Sequence, residues 1–101
     1  MDFDLILKPI VYWDIDESIV WYEKKIKGLG LRFLQSFEEV IVRIVDNPYS
    51  FSYLKKPVRK AKIKRFPYRV IYVINDHTIY ILGVINVRRS NRFIKKRARL
   101  P

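Results

Sequence analysis

The sequence contains no cysteine, which excludes both a disulfide framework and a cysteine-ligated metal site. It contains one histidine, so a histidine pair for general acid–base catalysis is also excluded. No uninterrupted apolar run approaches the roughly 18 residues of a membrane-spanning helix. The amino-terminal residues are acidic where a signal peptide would be basic. We therefore expect a soluble cytoplasmic protein that does not enter a membrane.

Acidic residues are almost missing from the second half of the chain. Residues 55–101 carry 15 Lys/Arg against Asp76 alone, whereas residues 1–54 carry six Lys/Arg and nine Asp/Glu. The halves therefore have net charges of +14 and −3, which together give the formal net charge of +11. Self-repulsion of this size weakens a compact fold unless an anionic partner offsets it. Nucleic acid, an acidic protein or both are the expected partners.

Several kinds of catalytic site are also missing. The carboxylates are concentrated in the first half and form neither an acidic metal cluster nor a catalytic carboxylate pair. The sequence has no glycine-rich phosphate loop and no serine nucleophile motif. We therefore expect neither a metal nor a cofactor.

The length and the 50% hydrophobic content suit one compact domain spanning residues 1–101. Residues 3–7 predict a first strand. Two amphipathic helices follow, with apolar stripes at helical spacing, and the short link between them requires an antiparallel hairpin. The stripes are Ile15, Ile19, Tyr22 and Ile26 in the first helix, and Leu34, Phe37, Ile41 and Ile44 in the second.

The helix ends are predicted from capping residues. The first helix begins either at a capping box formed by Asp14 and Glu17 or a turn earlier, after Pro9. Gly28 and Gly30 end it. The second helix runs over residues 31–46 and stops before an Asn-Pro pair.

The remaining chain predicts three consecutive antiparallel strands over residues 58–65, 69–74 and 78–87, after a loop over residues 49–57. Asn75 and Asp76 suit the tight turn between the last two strands. Two alternatives stay open for the tail, a short basic helix over residues 91–97 or a frayed end. The order is β-α-α-β-β-β, an α+β fold in which the helical hairpin packs on a small, mainly antiparallel four-stranded sheet. The face of the sheet that the helices do not cover is expected to be at least partly exposed to solvent.

Basic residues alternate along the first of these three strands. Lys60, Lys62 and Lys64 are expected to project from one face about 6.6–7 Å apart, close to the phosphate spacing of an extended nucleic-acid strand. Arg69 begins the next strand, and Arg88 and Arg89 follow the last one. We predict that these cations converge, and that together with Tyr68 they bind the target. The alternative for any single lysine is an ordinary solvated position. His77, in the predicted turn, is interpreted as structural.

Two segments carry a family resemblance. Residues 61–72, which read AKIKRFPYRVIY, and residues 84–89, which read VINVRR, resemble the RelE/ParE superfamily of bacterial type II toxins, often labelled plasmid stabilisation proteins. The resemblance extends over nearly the whole chain, since the helical hairpin and the Asn-Pro pair fall where that family has them. It implies a small toxin held inactive by a cognate antitoxin in a hetero-oligomer. RelE-like members cut messenger RNA on the ribosome without metal, whereas ParE-like members poison DNA gyrase.

The resemblance also implies roles for individual residues. Lys62, Lys64, Arg69 and Arg89 match the basic catalytic residues of the RelE branch. That branch has a catalytic tyrosine in its carboxy-terminal segment, where this chain has Phe93 and no tyrosine after Tyr80. The segment FPYRVIY, residues 66–72, favours the ParE branch, although this chain has Asn86 at a position where a histidine is common in that branch.

Three hypotheses follow. The first is the toxin of a toxin–antitoxin pair that inhibits DNA gyrase by binding it. The second is a metal-independent, ribosome-dependent mRNA endoribonuclease. The third is a basic nucleic-acid-binding module without toxicity.

Overall fold

The computed structural model describes residues 3–89 and 91–98, which form three helices and one five-stranded sheet. The elements are β1 (Asp4–Leu7), α1 (Pro9–Lys25), α2 (Leu29–Asp46), β2 (Tyr53–Lys55), β3 (Val58–Lys62), β4 (Tyr68–Asn75), β5 (Thr78–Asn86) and α3 (Asn91–Arg97), with a 3-10 turn at Pro48–Ser50 between α2 and β2. None of the described helices combines the length and apolar content needed to cross a membrane.

The sheet order is β1-β5-β4-β3-β2. Strand β1 pairs with β5 in parallel, and every other neighbouring pair is antiparallel. The α+β architecture with a helical hairpin on the sheet agrees with the prediction. The predicted count of four strands was wrong, because the segment predicted as a loop contains β2. A strand of three residues at a sheet edge is too short to show an alternating pattern.

The helical hairpin depends on two glycines and one carboxylate. Gly28 lies between the helices with a φ of 88°, in the left-handed region. Gly30 was predicted to end the first helix but lies inside α2, where an added Cβ would be 2.7 Å from the carbonyl oxygen of Ile19. The Glu23 carboxylate accepts hydrogen bonds from the backbone N–H groups of both glycines, at 2.9 and 3.0 Å. Glu23 therefore satisfies free N–H groups at the start of α2.

The predicted apolar stripes lie on the core with one exception. Ile15 and Ile44 are buried, and Tyr22 packs against the same cluster. Ile26 is 63% exposed, because α1 ends at Lys25 and Ile26 has an extended backbone with φ −145° and ψ 127°. The helix begins at Pro9 as in the earlier of the two predicted starts, so Asp14 is an interior helical residue.

The main core lies between the hairpin and one face of the sheet. At its centre the Phe33 ring lies 5.5 Å from the Tyr22 ring, 5.1 Å from the Phe66 ring and 5.3 Å from the Tyr68 ring. On the same face, the Tyr72 hydroxyl donates a 2.7 Å hydrogen bond to the carbonyl oxygen of Pro48. Burial raises the pKa of Tyr72 to about 12, so it keeps the proton that it donates. This bond fixes the 3-10 turn against the sheet.

Helix α3 covers part of the opposite face of the sheet. Ile94 is buried there against Ile71, Leu82 and Ile85 of β4 and β5. The tail is therefore helical over residues 91–97, as in the first of the two predicted alternatives. The prediction of a partly open face holds beside β3, where Lys60 and Lys62 project.

Candidate functional site

Six of the seven predicted site residues are divided among three cavities. We call the first the edge cavity, because it lies where β2 stops covering β3. Its volume is about 560 Å³, and its lining residues are Arg43, Ser50, Phe51, Ser52, Lys60, Ala61, Lys62, Arg69 and Val87. Of the seven residues predicted to bind the target, three lie together here: Lys60, Lys62 and Arg69.

Three basic side chains of the edge cavity come from neighbouring strands. Lys62 on β3 is the direct cross-strand partner of Arg69 on β4. The Lys60 ammonium donates a 3.1 Å hydrogen bond to the Ser52 hydroxyl. The Lys62 ammonium donates to the carbonyl oxygen of Phe66 at 3.1 Å, while its side chain remains exposed, as predicted. The Nε atom of Arg69 is buried and has no hydrogen-bond partner among the residues that the structure describes.

Lys64 lies elsewhere. The strand ends at Lys62, and the chain then turns, with Arg65 at a φ of 73°. The alternation predicted through residue 65 therefore breaks before Lys64, which is exposed in the turn. Lys64 lines a second cavity together with Arg32 of α2. The prediction that the three lysines form one row was wrong for this reason.

Arg88, Arg89 and Tyr68 are also separated from the edge cavity. Arg88 is exposed just after β5, and Arg89 places its guanidinium 4.7 Å from the centre of the Phe93 ring. The Tyr68 ring packs on Phe33, on the face of the sheet opposite to Arg69. Arg89 and Tyr68 both line a third cavity, which we call the α1 groove. The predicted convergence of the cations is therefore limited to the edge cavity.

The α1 groove runs beside the outer face of α1 and has a volume of about 550 Å³. Trp13 is 69% exposed on its rim, and Val20 and Trp21 are also largely exposed. Asp16 and Glu17 supply negative charge, and Lys24 and Arg89 supply positive charge. Exposed large apolar side chains grouped in this way are typical of a binding surface.

An ion pair that the sequence did not predict closes one side of the α1 groove. The Arg97 guanidinium of α3 donates to both carboxylate oxygens of Asp14, at 2.6 and 2.7 Å. The carboxylate also accepts a 3.0 Å hydrogen bond from the backbone N–H of Val84. The hydrogen bonds from Arg97 to Asp14 raise the pKa of Arg97 further, so the guanidinium stays charged. Gly83 leaves room for it, because an added Cβ would be 2.8 Å from Arg97 Nη1.

Sequence reasoning missed Arg97, Arg43, Ser50 and Ser52. Arg97 lies 83 residues from Asp14, and no local pattern links the two. Ser50 and Ser52 lie in the segment predicted as a loop, and Arg43 lies in the last turn of α2 beside the 3-10 turn. His77 lies in the β4–β5 turn, where its carbonyl oxygen accepts a 2.8 Å hydrogen bond from the Asp4 N–H.

The described residues also bear on metal binding. Within residues 3–89 and 91–98, no three His, Cys, Asp or Glu side chains are grouped so as to hold a metal ion. The edge cavity itself presents ammonium and guanidinium groups, which bind anions.

Solved structures share this fold. The chain is similar to the chromosomal ParDE toxin–antitoxin system from P. aeruginosa, with a TM-score of 0.74 and 17% identity over 83% of this chain and 95% of that chain. It is also similar to a double arginine-to-alanine mutant of the E. coli toxin RelE in the free state, with a TM-score of 0.63 and 16% identity over 98% and 100% of the two chains. The same RelE mutant in complex with a peptide of the antitoxin RelBc gives a TM-score of 0.58 at 15% identity, over 100% of both chains.

At these identities the structural likeness establishes the fold alone. Comparison with curated protein sequences gives no significant match. The family model described as the ParE toxin of the type II toxin–antitoxin system parDE matches residues 11–91, which is most of the chain. The chain belongs to this ParE toxin family.

Proposed function

We propose that this type II toxin acts by binding and inhibiting DNA gyrase, and that a cognate antitoxin neutralises it. The observation that carries the proposal is the separation of Lys62, Lys64, Arg69 and Arg89, the residues that a ribonuclease mechanism would use. They line three different cavities. Groups that act on one phosphodiester have to converge on it.

The carboxy-terminal segment also favours binding over catalysis. Phe93 lies in the region where the resemblance implies a catalytic tyrosine for the ribonuclease branch, and a phenyl ring can neither accept nor donate a proton. The centre of its ring lies 4.7 Å from the guanidinium of Arg89 and 5.1 Å from that of Arg97. Aromatic–cation packing of this kind stabilises a surface, and it supplies no general acid or base.

Inducible expression in bacteria tests the proposed target. We expect filamentation and DNA damage while translation is initially intact, because the inhibited step would be supercoiling. Purified protein is expected to inhibit gyrase in a supercoiling assay. Rapid loss of translation with cleaved transcripts would overturn the proposal in favour of the endoribonuclease. Unaffected growth despite soluble expression would also contradict it and would leave a non-toxic basic module.

The α1 groove is the proposed docking site for the antitoxin. An amphipathic segment would place its apolar side on Trp13, Val20 and Trp21, and acidic residues on the segment would face the basic sheet. The net charge of +11 supports an acidic partner. The RelE–RelBc structure is of a related fold with an antitoxin peptide bound.

Replacing Trp13 with alanine tests this docking site. We expect affinity for the antitoxin to fall by about 2 kcal/mol, roughly thirtyfold, because an exposed tryptophan at a groove is a typical binding hot spot. The measurement is titration calorimetry with the product of the neighbouring gene. Tyr12→Ala is the matched control, since Tyr12 is also exposed on α1 but does not line the groove. Equal affinities for the two variants would place the antitoxin elsewhere.

A further inference from the structure

We propose that the cavity lined by Arg32 and Lys64 is the surface that engages the target protein, and that it binds an acidic amphipathic segment of that protein. We call it the turn cavity, because the β3–β4 turn forms one wall and the first half of α2 forms the other. Its volume is about 600 Å³. The inference rests on the proposed function and deepens it, since inhibition of gyrase does not by itself assign the face that binds.

The first argument is the backbone of Arg65, which lies in the β3–β4 turn and lines the turn cavity. Its φ of 73° is in the left-handed region, where a Cβ atom meets steric resistance and glycine does not. The chain nevertheless has an exposed arginine at this position. An exposed charged side chain at a strained position indicates a use for that side chain outside the turn.

The turn that carries Arg65 is held in place by its own hydrogen bonds. The Ile63 N–H donates to the carbonyl oxygen of Tyr68 at 2.9 Å. The Lys62 ammonium donates to the carbonyl oxygens of Ile63 and Phe66, at 3.3 and 3.1 Å. Arg65 therefore projects from a fixed backbone, so little backbone freedom is lost when a partner binds.

The second argument is the unpaired state of the cations. Arg32, Lys64 and Arg65 are exposed, and their side chains form no hydrogen bond or ion pair with any residue that the structure describes. Glu39 is the one carboxylate on the described walls. It lies seven residues after Arg32 on α2, about 10 Å along the helix axis. Carboxylates of a partner would pair with the two guanidinium groups, whose parallel N–H donors match them.

The third argument is the floor of the turn cavity, which is apolar. Phe66 is buried there, Leu29 is half-buried and Pro67 is exposed. Beside them Gln35 and Ser36 add an amide and a hydroxyl group, which can bond the backbone of a bound peptide. An apolar floor below a basic rim suits an amphipathic acidic segment.

These features favour a peptide over a nucleic-acid strand. A strand carries a phosphate at every nucleotide, so it would bring negative charge to Glu39 as well as to the cations. A peptide can place carboxylates at Arg32 and Arg65 and a hydrogen-bond donor at Glu39. Among the described residues, none lines both the turn cavity and the α1 groove. The target and the antitoxin would therefore bind to different faces.

Binding of purified gyrase without DNA, measured by biolayer interferometry at constant ionic strength, tests the inference. We expect Arg32→Gln and Arg65→Gly each to weaken binding about tenfold, the size of effect expected on losing one charge-assisted contact. Arg92→Gln is the matched control, since Arg92 is exposed on α3 and lines none of the three cavities. Equal weakening in all three variants would show a general charge effect and overturn the inference. So would unchanged binding in the first two, or binding that requires DNA.

Thermal unfolding and antitoxin binding separate this role from a role in folding. Arg65→Gly is expected to unfold at the same temperature as the unmodified protein or higher, because glycine adopts the left-handed conformation readily. It is also expected to keep its affinity for the antitoxin. A lower unfolding temperature with unchanged gyrase binding would show that Arg65 serves the turn alone. An equal loss of antitoxin affinity would assign the cavity to the antitoxin and overturn the inference.

A supercoiling assay separates failure of this inference from failure of the proposed function. If the unmodified protein neither binds nor inhibits gyrase, the proposed function itself is wrong. If the unmodified protein inhibits gyrase and the Arg32→Gln and Arg65→Gly variants inhibit it equally well, only the assignment of the turn cavity is wrong.

Discussion

Replacing Phe33 with alanine is expected to lower the free energy of unfolding by about 3–5 kcal/mol. The side chain is fully buried at the centre of the main core. Its ring contacts three other aromatic rings, those of Tyr22, Phe66 and Tyr68. Alanine would leave a cavity between the hairpin and the sheet, and the close-packed rings around it would relax only partly to fill it.

This loss is large compared with the total stability of about 5–15 kcal/mol that is usual for a domain of this size. Urea denaturation followed by tryptophan fluorescence measures it. Leu31→Ala is the control, since Leu31 is exposed on the same helix and is expected to change stability by less than about 0.5 kcal/mol. A loss below about 1 kcal/mol for Phe33→Ala would contradict its place at the centre of the core.

Replacing Asp14 with alanine is expected to cost about 3 kcal/mol, the second largest effect. The Asp14 and Arg97 side chains are only 10% and 16% exposed. Water would therefore solvate the unpaired Arg97 guanidinium poorly. The substitution leaves both the Arg97 guanidinium and the Val84 N–H without their acceptor. The end of α3 would lose its tie to α1, and its amide hydrogens are expected to exchange faster with solvent.

Asp16→Ala is the control for this prediction, because Asp16 is exposed on the same helix. A double variant with Arg97→Ala separates the pair from other effects. If the ion pair carries the stability, the combined loss should be clearly smaller than the sum of the two single losses. Additive losses, or unchanged hydrogen exchange in α3, would show that Asp14 and Arg97 act independently.

Elements with a local periodic pattern were predictable from the sequence. Helix α2 shows apolar residues at helical spacing, and β4 and β5 show β-branched runs on either side of a turn signal. The structure confirms that turn, with register partners Asn75 and Thr78 and with Asp76 at a φ of 56°. Asparagine and aspartate tolerate this left-handed conformation, which is why the pair signals a turn.

Features that depend on contacts distant in sequence were not predictable. The strand β2 is too short for a pattern, and its pairing depends on β3 being in place. Arg97 belongs to a run of basic residues, and nothing local separates it from the others. The position of Arg43 in the edge cavity was also not predictable, because it depends on the packing of α2 beside the 3-10 turn. The sequence therefore predicted which strands carry the basic residues. It did not predict the other residues that line the edge cavity, because tertiary packing brings them there.

The parallel pairing of β1 with β5 affects the order in which the protein can assemble during synthesis. Asp4 is synthesised about seventy residues before its partner Thr78, an interval of several seconds at ordinary elongation rates. During that interval Leu5, Ile6 and Leu7 have no strand to pair with. Strand β1 is therefore made well before the strand that fixes its position, and the sheet stays incomplete until β5 has been translated.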